Sequence, residues 1–294
     1  VILDPDGKIV SNQYKRHQAD IEGTVTGFFR NLMETIGDVP VAVTITGSVG
    51  MGISERFSID FLQVVIAATE YVRRCQQGIA TIIDIGGEDA KIVYLNDEGN
   101  ADLRMNGNCA GGTGAFIDQM ALLLNVEIEE LDKLAAQATH VHPIASRCGV
   151  FSKTDVQNLI AKNVSKADIA ASIFRAVAVQ TITTLSHGCE LKPGILFCGG
   201  PLTFISGLRK AFIDYLGLPE SDFVVPENAN LIPAWGCALY ADGSKATMLS
   251  EFIAREQNAD AGLKLAITPR LPRIFDSEAE YEAWKAEKAA NRMD

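Results

Sequence analysis

Two apolar runs that each end in a pair of glycines constrain the fold of this chain more than any other feature of its sequence. The first runs from Ile82 to Gly87 and reads IIDIGG, and the second runs from Leu196 to Pro201 and reads LFCGGP. Continuous apolar runs of this length are typical of strands buried on both faces. Because helical periodicities precede, separate and follow these runs, the sequence predicts an α/β architecture.

The first run delivers a carboxylate, Asp84, and then the glycines Gly86 and Gly87 to the start of a turn. Glycines there let backbone N–H groups close on a phosphate, and the carboxylate can hold the water shell of Mg²⁺. An ordinary hairpin with glycines in its turn would give the same pattern. The motif alone leaves both readings open, since short glycine motifs occur often without a ligand.

The second run ends in Gly199, Gly200 and Pro201. Glycines at the end of a buried strand permit the close approach of a flat ligand such as adenine with its ribose. The alternative is a tight strand-to-helix turn. Two strand–glycine–glycine units in one α/β chain favour a nucleotide cleft more strongly than either unit does separately.

Two cysteines each precede a predicted helix: Cys109 in the segment CAGGTGAF and Cys148 in the segment SRCGVF. The positive end of a helix dipole stabilises a thiolate, and such a thiolate can ligate an iron–sulfur cluster. Two cysteines are half of the usual Cys₄ set, so a symmetric homodimer with the pair on its two-fold axis would supply the rest. Two buried structural thiols are the alternative.

Charge and apolar patterning exclude several classes of protein. The 294 residues carry 26 Lys and Arg against 37 Asp and Glu, a formal net charge of −11, whereas a nucleic-acid surface requires a basic stripe. No apolar run approaches the length that spans a bilayer. The six cysteines form no CxxC pair, which is typical of free thiols in a cytoplasmic enzyme. We therefore expect neither a nucleic-acid nor a membrane partner.

Four motifs together resemble one family. They are DIGGEDAK, which starts at Asp84, NGNCAGGTGAF, which contains Cys109, ASRCGVF, which contains Cys148, and the late GGP. They resemble the ATP-dependent activators of 2-hydroxyacyl-CoA dehydratases, a family that includes the ATPase subunits of benzoyl-CoA reductase. The sequence around the two cysteines is most similar to that of the activator-like modules of large multi-module activases. The resemblance covers about residues 1 to 242.

The resemblance implies a fold of two ribonuclease-H-like domains, as in the actin, chaperone and sugar-kinase ATPase superfamily. Residues 1–79 with 232–245 would form the first domain, residues 80–231 the second, and residues 246–294 a polar linker or tail with a short helix at 278–290. Superfamily members begin with a strand and a D-I-G-S-T-type phosphate loop. Because residues 1–10 resemble the strands after that loop, we expect the first domain to lack its N-terminal strand and phosphate-1 loop.

The resemblance also implies cofactors and site residues. ATP or ADP with Mg²⁺ would bind in the cleft between the domains, and Asp84 would be the catalytic carboxylate. The residues that would hold the nucleotide are Gly86, Gly87, Glu88, Asp89, Gly199, Gly200 and Pro201.

For the cysteines, the resemblance implies that Cys109 and Cys148 ligate one [4Fe-4S] cluster shared by a homodimer. ATP hydrolysis would then drive a low-potential electron to a partner iron–sulfur enzyme of the dehydratase or reductase type.

Two other functions stay open. A degenerate module could bind a cluster or nucleotide only as a scaffold in a larger protein. A small-molecule kinase of the same superfamily is a further alternative, against which the cysteine motifs argue.

Overall fold

The computed structural model describes residues 1–17, 20–48, 50–96, 101–106, 111–146, 148–259, 274–275 and 277–290. The N-terminal part combines short strands with three helices. In chain order these elements are β1 (Ile2–Leu3), β2 (Ile9–Ser11), α1 (Ile21–Ile36), β3 (Pro40–Val41), β4 (Thr44–Ile45), α2 (Gly50–Phe57), β5 (Asp60–Phe61) and α3 (Val64–Cys75).

The remainder of the chain contains the longer strands and helices. They are β6 (Thr81–Ile85), β7 (Ala90–Leu95), β8 (Ala101–Met105), α4 (Gly114–Leu124), α5 (Ile128–Ala135), α6 (Gly149–Ala161), α7 (Lys166–Leu185), β9 (Ile195–Cys198), α8 (Gly200–Phe204), α9 (Ser206–Leu216), β10 (Phe223–Val224), α10 (Ile232–Tyr240), β11 (Thr247–Met248), α11 (Leu249–Ala259) and α12 (Glu278–Ala290). None of the described helices is long and apolar enough to cross a membrane.

The largest sheet of the described residues has five strands in the order β10, β9, β6, β7, β8. β6, β7 and β8 pair antiparallel, whereas β9 runs parallel to β6 and β10 parallel to β9. Both predicted strand–glycine–glycine units lie in this sheet as direct neighbours, and Asp84 is in register with Cys198. The ends of β6 and β9 therefore meet at one edge of the sheet.

Side chains alternate between two buried faces of this sheet. One face, with Ile83 and Ile85, packs in the larger core beneath α4, α7 and α9. The other face, with Ile82 and Leu196, packs against residues of α3 and α10. α3 and α10 cross so closely that any side chain on Gly236 would collide with the backbone of α3. The predicted α/β class is confirmed, while the predicted domain boundaries stay a prediction.

Two stretches of the N-terminal part form shorter elements than their sequence patterns predict. The continuous apolar run from Val39 to Ile45 predicts one buried strand but forms two short strands, because β3 pairs with β11 and β4 pairs with β5. The pattern of residues 59–75 predicts one helix, but the helix begins at Val64, since Asp60 and Phe61 are extended in the ladder with β4.

Part of the predicted polar tail, which starts at residue 246, packs on the N-terminal core. Thr247 and Met248 pair with β3, and Leu249 and Phe252 are buried. Phe252 stacks on Phe29 of α1 with ring centroids 5.2 Å apart. Two apolar side chains therefore anchor α11 to the N-terminal core. The helix predicted at 278–290 is confirmed with the same bounds.

Candidate functional site

Asp84 lies next to the end of β6, where β7 and β9 flank it. Its neighbours in register are Lys91 on β7 and Cys198 on β9. All three residues are buried, with 6% of Asp84 exposed. A carboxylate in such surroundings requires a partner because burial of an isolated charge is costly.

Lys91 supplies that partner. Its ammonium lies 2.5 Å from Asp89 Oδ1 and 3.9 Å from Asp84 Oδ2. Burial raises the pKa of Asp84 and the negative charge of Asp89 adds to this, while Lys91 and a hydrogen bond from Cys198 oppose it. Burial also raises the pKa of Cys198 well above its usual value. Cys198 is therefore a neutral thiol that donates to the carboxylate of Asp84.

The turn after β6 is closed on one side and open on the other. The N–H of Gly86 donates to the carbonyl of Asp89 at 2.8 Å, and a Cβ at position 86 would lie 2.7 Å from Asp89 Oδ1. Gly87 is exposed with no atom within 4 Å of where its Cβ would be, and Glu88 is exposed. The open side at Gly87 can admit a phosphate group.

The donor set of this turn fits Mg²⁺, which binds proteins through one or two carboxylates together with waters and substrate phosphates. Asp84 and Asp89 are such carboxylates. Within the described ranges, no group of three or more His, Cys, Asp or Glu side chains could hold a metal ion. Nucleotide phosphates would therefore have to complete the coordination.

The second glycine motif has a packing role. Gly199 has φ +87°, and a Cβ there would collide with the carbonyl of Ile85, so strand packing alone requires glycine. A Cβ on Gly200 would lie 2.6 Å from the hydroxyl of Tyr14. The Tyr14 ring is 5.4 Å from the ring of Phe204. The N-terminal segment therefore lies over the predicted adenosine motif, which the sequence did not indicate.

The start of α4 is bonded directly to the turn after β6. The N–H of Gly114 donates to the carbonyl of Gly86 at 2.9 Å, and the N–H of Ala115 donates to Gly87 at 2.8 Å. A Cβ at position 114 would lie 3.1 Å from Pro201 Cγ. The first residues of α4 thus contact both glycine turns. α4 begins at Gly114, five residues after Cys109 in the sequence, so a helix follows the cysteine segment as predicted.

The two cysteine segments also meet. Cys109 lies outside the described residues, but Gly111 is described and buried. A Cβ on Gly149 would lie 3.7 Å from the Cα of Gly111 and 3.4 Å from the ring of Phe116. Cys148 is the N-cap of α6 and half-buried, as the sequence predicted for a cysteine before a helix. The segment after Cys109 therefore touches the segment after Cys148.

The surface beside Cys148 is apolar and open. Val150 is 70% exposed and Phe151 is 66% exposed, although both belong to the first turn of α6. Of the two predicted cluster ligands, Cys148 is the one whose position is described, and it lies beside this apolar surface.

Sequence reasoning missed Lys91 and Cys198 as members of the site. Lys91 stands in a strand whose other core-facing residue, Val93, is buried on the same face of the sheet. A lysine at a core-facing position of a buried strand is a signal that could have been used, because it requires a buried counter-charge.

Comparisons with known proteins identify the family to which the chain is similar. A model described as the BadF/BadG/BcrA/BcrD ATPase family matches residues 5–241. The (R)-2-hydroxyglutaryl-CoA dehydratase activating ATPase of Acidaminococcus fermentans is 34% identical over 163 residues, which cover 55% of this chain and 61% of that protein. The activator of lactoyl-CoA dehydratase of Anaerotignum propionicum is 35% identical over 162 residues, with the same coverage of 55% and 61%. The chain thus spans about three-fifths of these relatives.

A solved structure matches over more of the chain. The activator of the 2-hydroxyisocaproyl-CoA dehydratase from Clostridium difficile, with bound ADPNP, aligns with a TM-score of 0.62 and 26% identity. The alignment covers 86% of this chain and 87% of that chain.

Proposed function

The chain belongs to the BadF/BadG/BcrA/BcrD ATPase family, and on that premise we propose that it is an ATP-dependent activator of a 2-hydroxyacyl-CoA dehydratase-type enzyme. The proposal has three parts. The chain binds ATP with Mg²⁺ at the two glycine turns, two copies share one [4Fe-4S] cluster through Cys109 and Cys148, and one electron passes from the cluster to an iron–sulfur partner.

The observation that carries the proposal is the pair of hydrogen bonds from Gly114 and Ala115 to Gly86 and Gly87. They join the turn that would hold phosphate to the segment that follows Cys109. A shift of the turn on nucleotide binding or hydrolysis would therefore move the start of α4. Because Gly111 also touches Gly149, the movement would reach the segment that begins at Cys148.

The residues at the turn have distinct roles in this proposal. Asp84 and Asp89 would hold the hydrated Mg²⁺, and Gly86, Gly87 and Glu88 would border the phosphates. Gly199, Gly200 and Pro201 would border the adenosine. Asp84 would orient a water for hydrolysis, and its position near the end of β6 beside Lys91 supports this role.

The cysteines would hold the cluster, which when bound supplies the carrier for one electron at low potential. Cys148 is the N-cap of α6, so its thiol lies at the N-terminus of that helix. The exposed Val150 and Phe151 would be covered by the second copy or by the partner enzyme. The names of the relatives, which are activators of dehydratases, support a dehydratase-type partner.

The first experiment measures the iron and acid-labile sulfide content per protomer after anaerobic purification. Light scattering gives the mass of the assembly. We expect a dimer with about two irons per protomer, since one four-iron cluster would be shared by four thiolates. Cys148→Ala should remove the iron. Cys75→Ala is the matched control, because Cys75 is exposed at the end of α3, far along the chain from both motifs.

The outcomes separate the functions. A monomer without iron, even after reconstitution, would contradict the activator. A dimer with iron but without ATP hydrolysis would instead indicate the scaffold module, and phosphorylation of a small molecule without iron would indicate the kinase.

A further inference from the structure

The segment that leads to Cys148 has no regular secondary structure, yet side chains of two helices hold its backbone. The N–H groups of Thr139 and His140 donate to Asp168 of α7 at 2.8 and 2.9 Å. The N–H of His142 donates to the hydroxyl of Ser172, also of α7, at 2.7 Å. Such bonds fix a loop that would otherwise be free to move, since a loop has no ladder of its own.

Ala145 lies three residues before Cys148, and both of its backbone groups are hydrogen-bonded to side chains of α6. The N–H of Ala145 donates to Asp155 Oδ2 at 2.9 Å. Its carbonyl accepts from the hydroxyl of Ser152 at 2.5 Å. The residue three positions before the cysteine is thus bound to the helix that the cysteine begins.

Ser152 also reaches Cys148 itself. Its hydroxyl lies 3.0 Å from the carbonyl oxygen of Cys148, and only 1% of Ser152 is exposed. One buried hydroxyl therefore contacts the backbone of both Ala145 and Cys148. Water cannot readily replace a hydroxyl that is this deeply buried, so the carbonyl of Ala145 depends on it. The carbonyl of Cys148 also accepts the backbone N–H of Ser152 at 3.0 Å.

We propose that Ser152 and Asp155 are positioning residues that fix the backbone around Cys148, so that its thiolate is held in one place for an iron atom. The inference rests on the proposed function only in naming iron as what the thiolate would bind. The fixed position of the thiol is a property of the metal-free chain and can be measured there.

Fixed placement matters for this chemistry. Ligands held by packing and by outer hydrogen bonds bind a metal in one geometry, and loss of such bonds commonly weakens the site. The potential of an iron–sulfur cluster also depends on hydrogen bonding and solvent exposure at its sulfurs. Ser152 and Asp155 would fix the solvent exposure of the Cys148 sulfur without touching iron.

The test measures the alkylation rate of each cysteine in the metal-free, reduced protein under native conditions. Peptide mass spectrometry reports the extent of alkylation at each position. Ser152→Ala should raise the rate at Cys148 about fivefold, the factor expected for the loss of one hydrogen bond of ordinary net strength. Rates at the buried Cys198 and Cys237 should not change, because only the local segment opens.

Two further variants sharpen the test. Thr154→Ala is the matched control, because its hydroxyl is on the same helix but bonds only to Val150 within that helix. Asp155→Asn keeps an acceptor oxygen for the N–H of Ala145 and should keep the wild-type rate, whereas Asp155→Ala should behave like Ser152→Ala.

A rate at Cys148 equal to that of Thr154→Ala would overturn the proposal, as would equal acceleration at Cys198 and Cys237, which indicates global destabilisation. In the iron-loaded protein, Ser152→Ala should also change the electron paramagnetic resonance signal of the reduced cluster. If the wild-type protein takes up no iron while Cys148 responds as expected, the positioning role stands and the activator function fails.

Discussion

Gly149 lies against Gly111: a Cβ at position 149 would be 3.7 Å from the Cα of Gly111. This contact joins two segments that are separated by more than thirty residues in the sequence and that each follow a cysteine. It limits the size of the side chain that can follow Cys148 directly, since one larger than alanine would separate the two segments.

The first prediction follows from that spacing. Gly149→Ala should be tolerated, because 3.4 to 3.7 Å is ordinary van der Waals contact. Gly149→Leu should destabilise the fold by about 1–3 kcal/mol through overpacking and should lower iron per protomer. Urea unfolding and iron analysis measure both effects. Gly52→Leu is the control, since a Cβ on Gly52 would meet no atom within 4 Å. Full iron in Gly149→Leu would contradict the shared site.

The second prediction concerns the junction of α4 with the turn after β6. Gly114→Ala places a Cβ 3.2 Å from the carbonyl oxygen of Gly86, which weakens two hydrogen bonds worth about 1 kcal/mol each. Binding of Mg²⁺·ADP, measured by titration calorimetry, should weaken by about tenfold, the factor for 1.4 kcal/mol.

Gly27→Ala is the matched glycine-to-alanine control for Gly114→Ala. Gly27 is exposed in α1 with no atom within 4 Å of its Cβ position. The change should stabilise α1 by about 0.5–1 kcal/mol and leave nucleotide affinity unchanged. Equal affinities for Gly114→Ala and Gly27→Ala would show that the junction does not shape the nucleotide site.

The sequence predicted local features of this site well and its long-range contacts poorly. A buried strand with two following glycines is a local pattern, so Asp84, Gly86 and Gly87 could be found from it. The contact of Lys91 with Asp84 depends on hairpin register, and the contact of Gly111 with Gly149 depends on tertiary packing. Neither leaves a periodic signal. α11 was missed because its anchors to the core are few and stand among polar residues.

The third prediction concerns the buried ammonium of Lys91. Lys91→Met leaves Asp84 and Asp89 without their shared cation, and the side chains of Lys91 and Asp84 are only 8% and 9% exposed. We expect a loss of about 3 kcal/mol, the lower end for a broken buried pair, because Asp89 is 30% exposed. Lys210→Met, which alters a lysine whose side chain is 75% exposed, should change stability little.

The stability of Lys91→Met should also depend on pH in a defined direction. Burial already raises the pKa of Asp84, and loss of the ammonium raises it further. The folded variant then holds a proton that the unfolded chain has lost, so its deficit should shrink as the pH falls from about 8 toward about 5. Urea unfolding at several pH values measures this, and a deficit that grows on acidification would contradict the ion-pair assignment.

The fourth prediction concerns Asp168, which holds the start of the segment that leads to Cys148. Hydrogen bonds from the N–H of His140, the hydroxyl of Ser165 and the N–H of Thr139 lower the pKa of Asp168 to about 2. A carboxyl group with a lowered pKa contributes stability above its unfolded pKa of about 4, and this contribution is lost as the pH falls toward 2.

Asp168→Ala should therefore be less stable than the wild type at neutral pH, and the two unfolding curves should converge between about pH 4 and pH 2. Hydrogen exchange should accelerate at the amides of Thr139 and His140, because these N–H groups lose their acceptor. Asp214→Ala is the control, since Asp214 is 55% exposed and pairs with Lys210 across one helical turn. Parallel stability curves for Asp168→Ala and wild type would mean that Asp168 titrates alike in the folded and unfolded states, and unchanged exchange at His140 would show that the segment is held by other contacts.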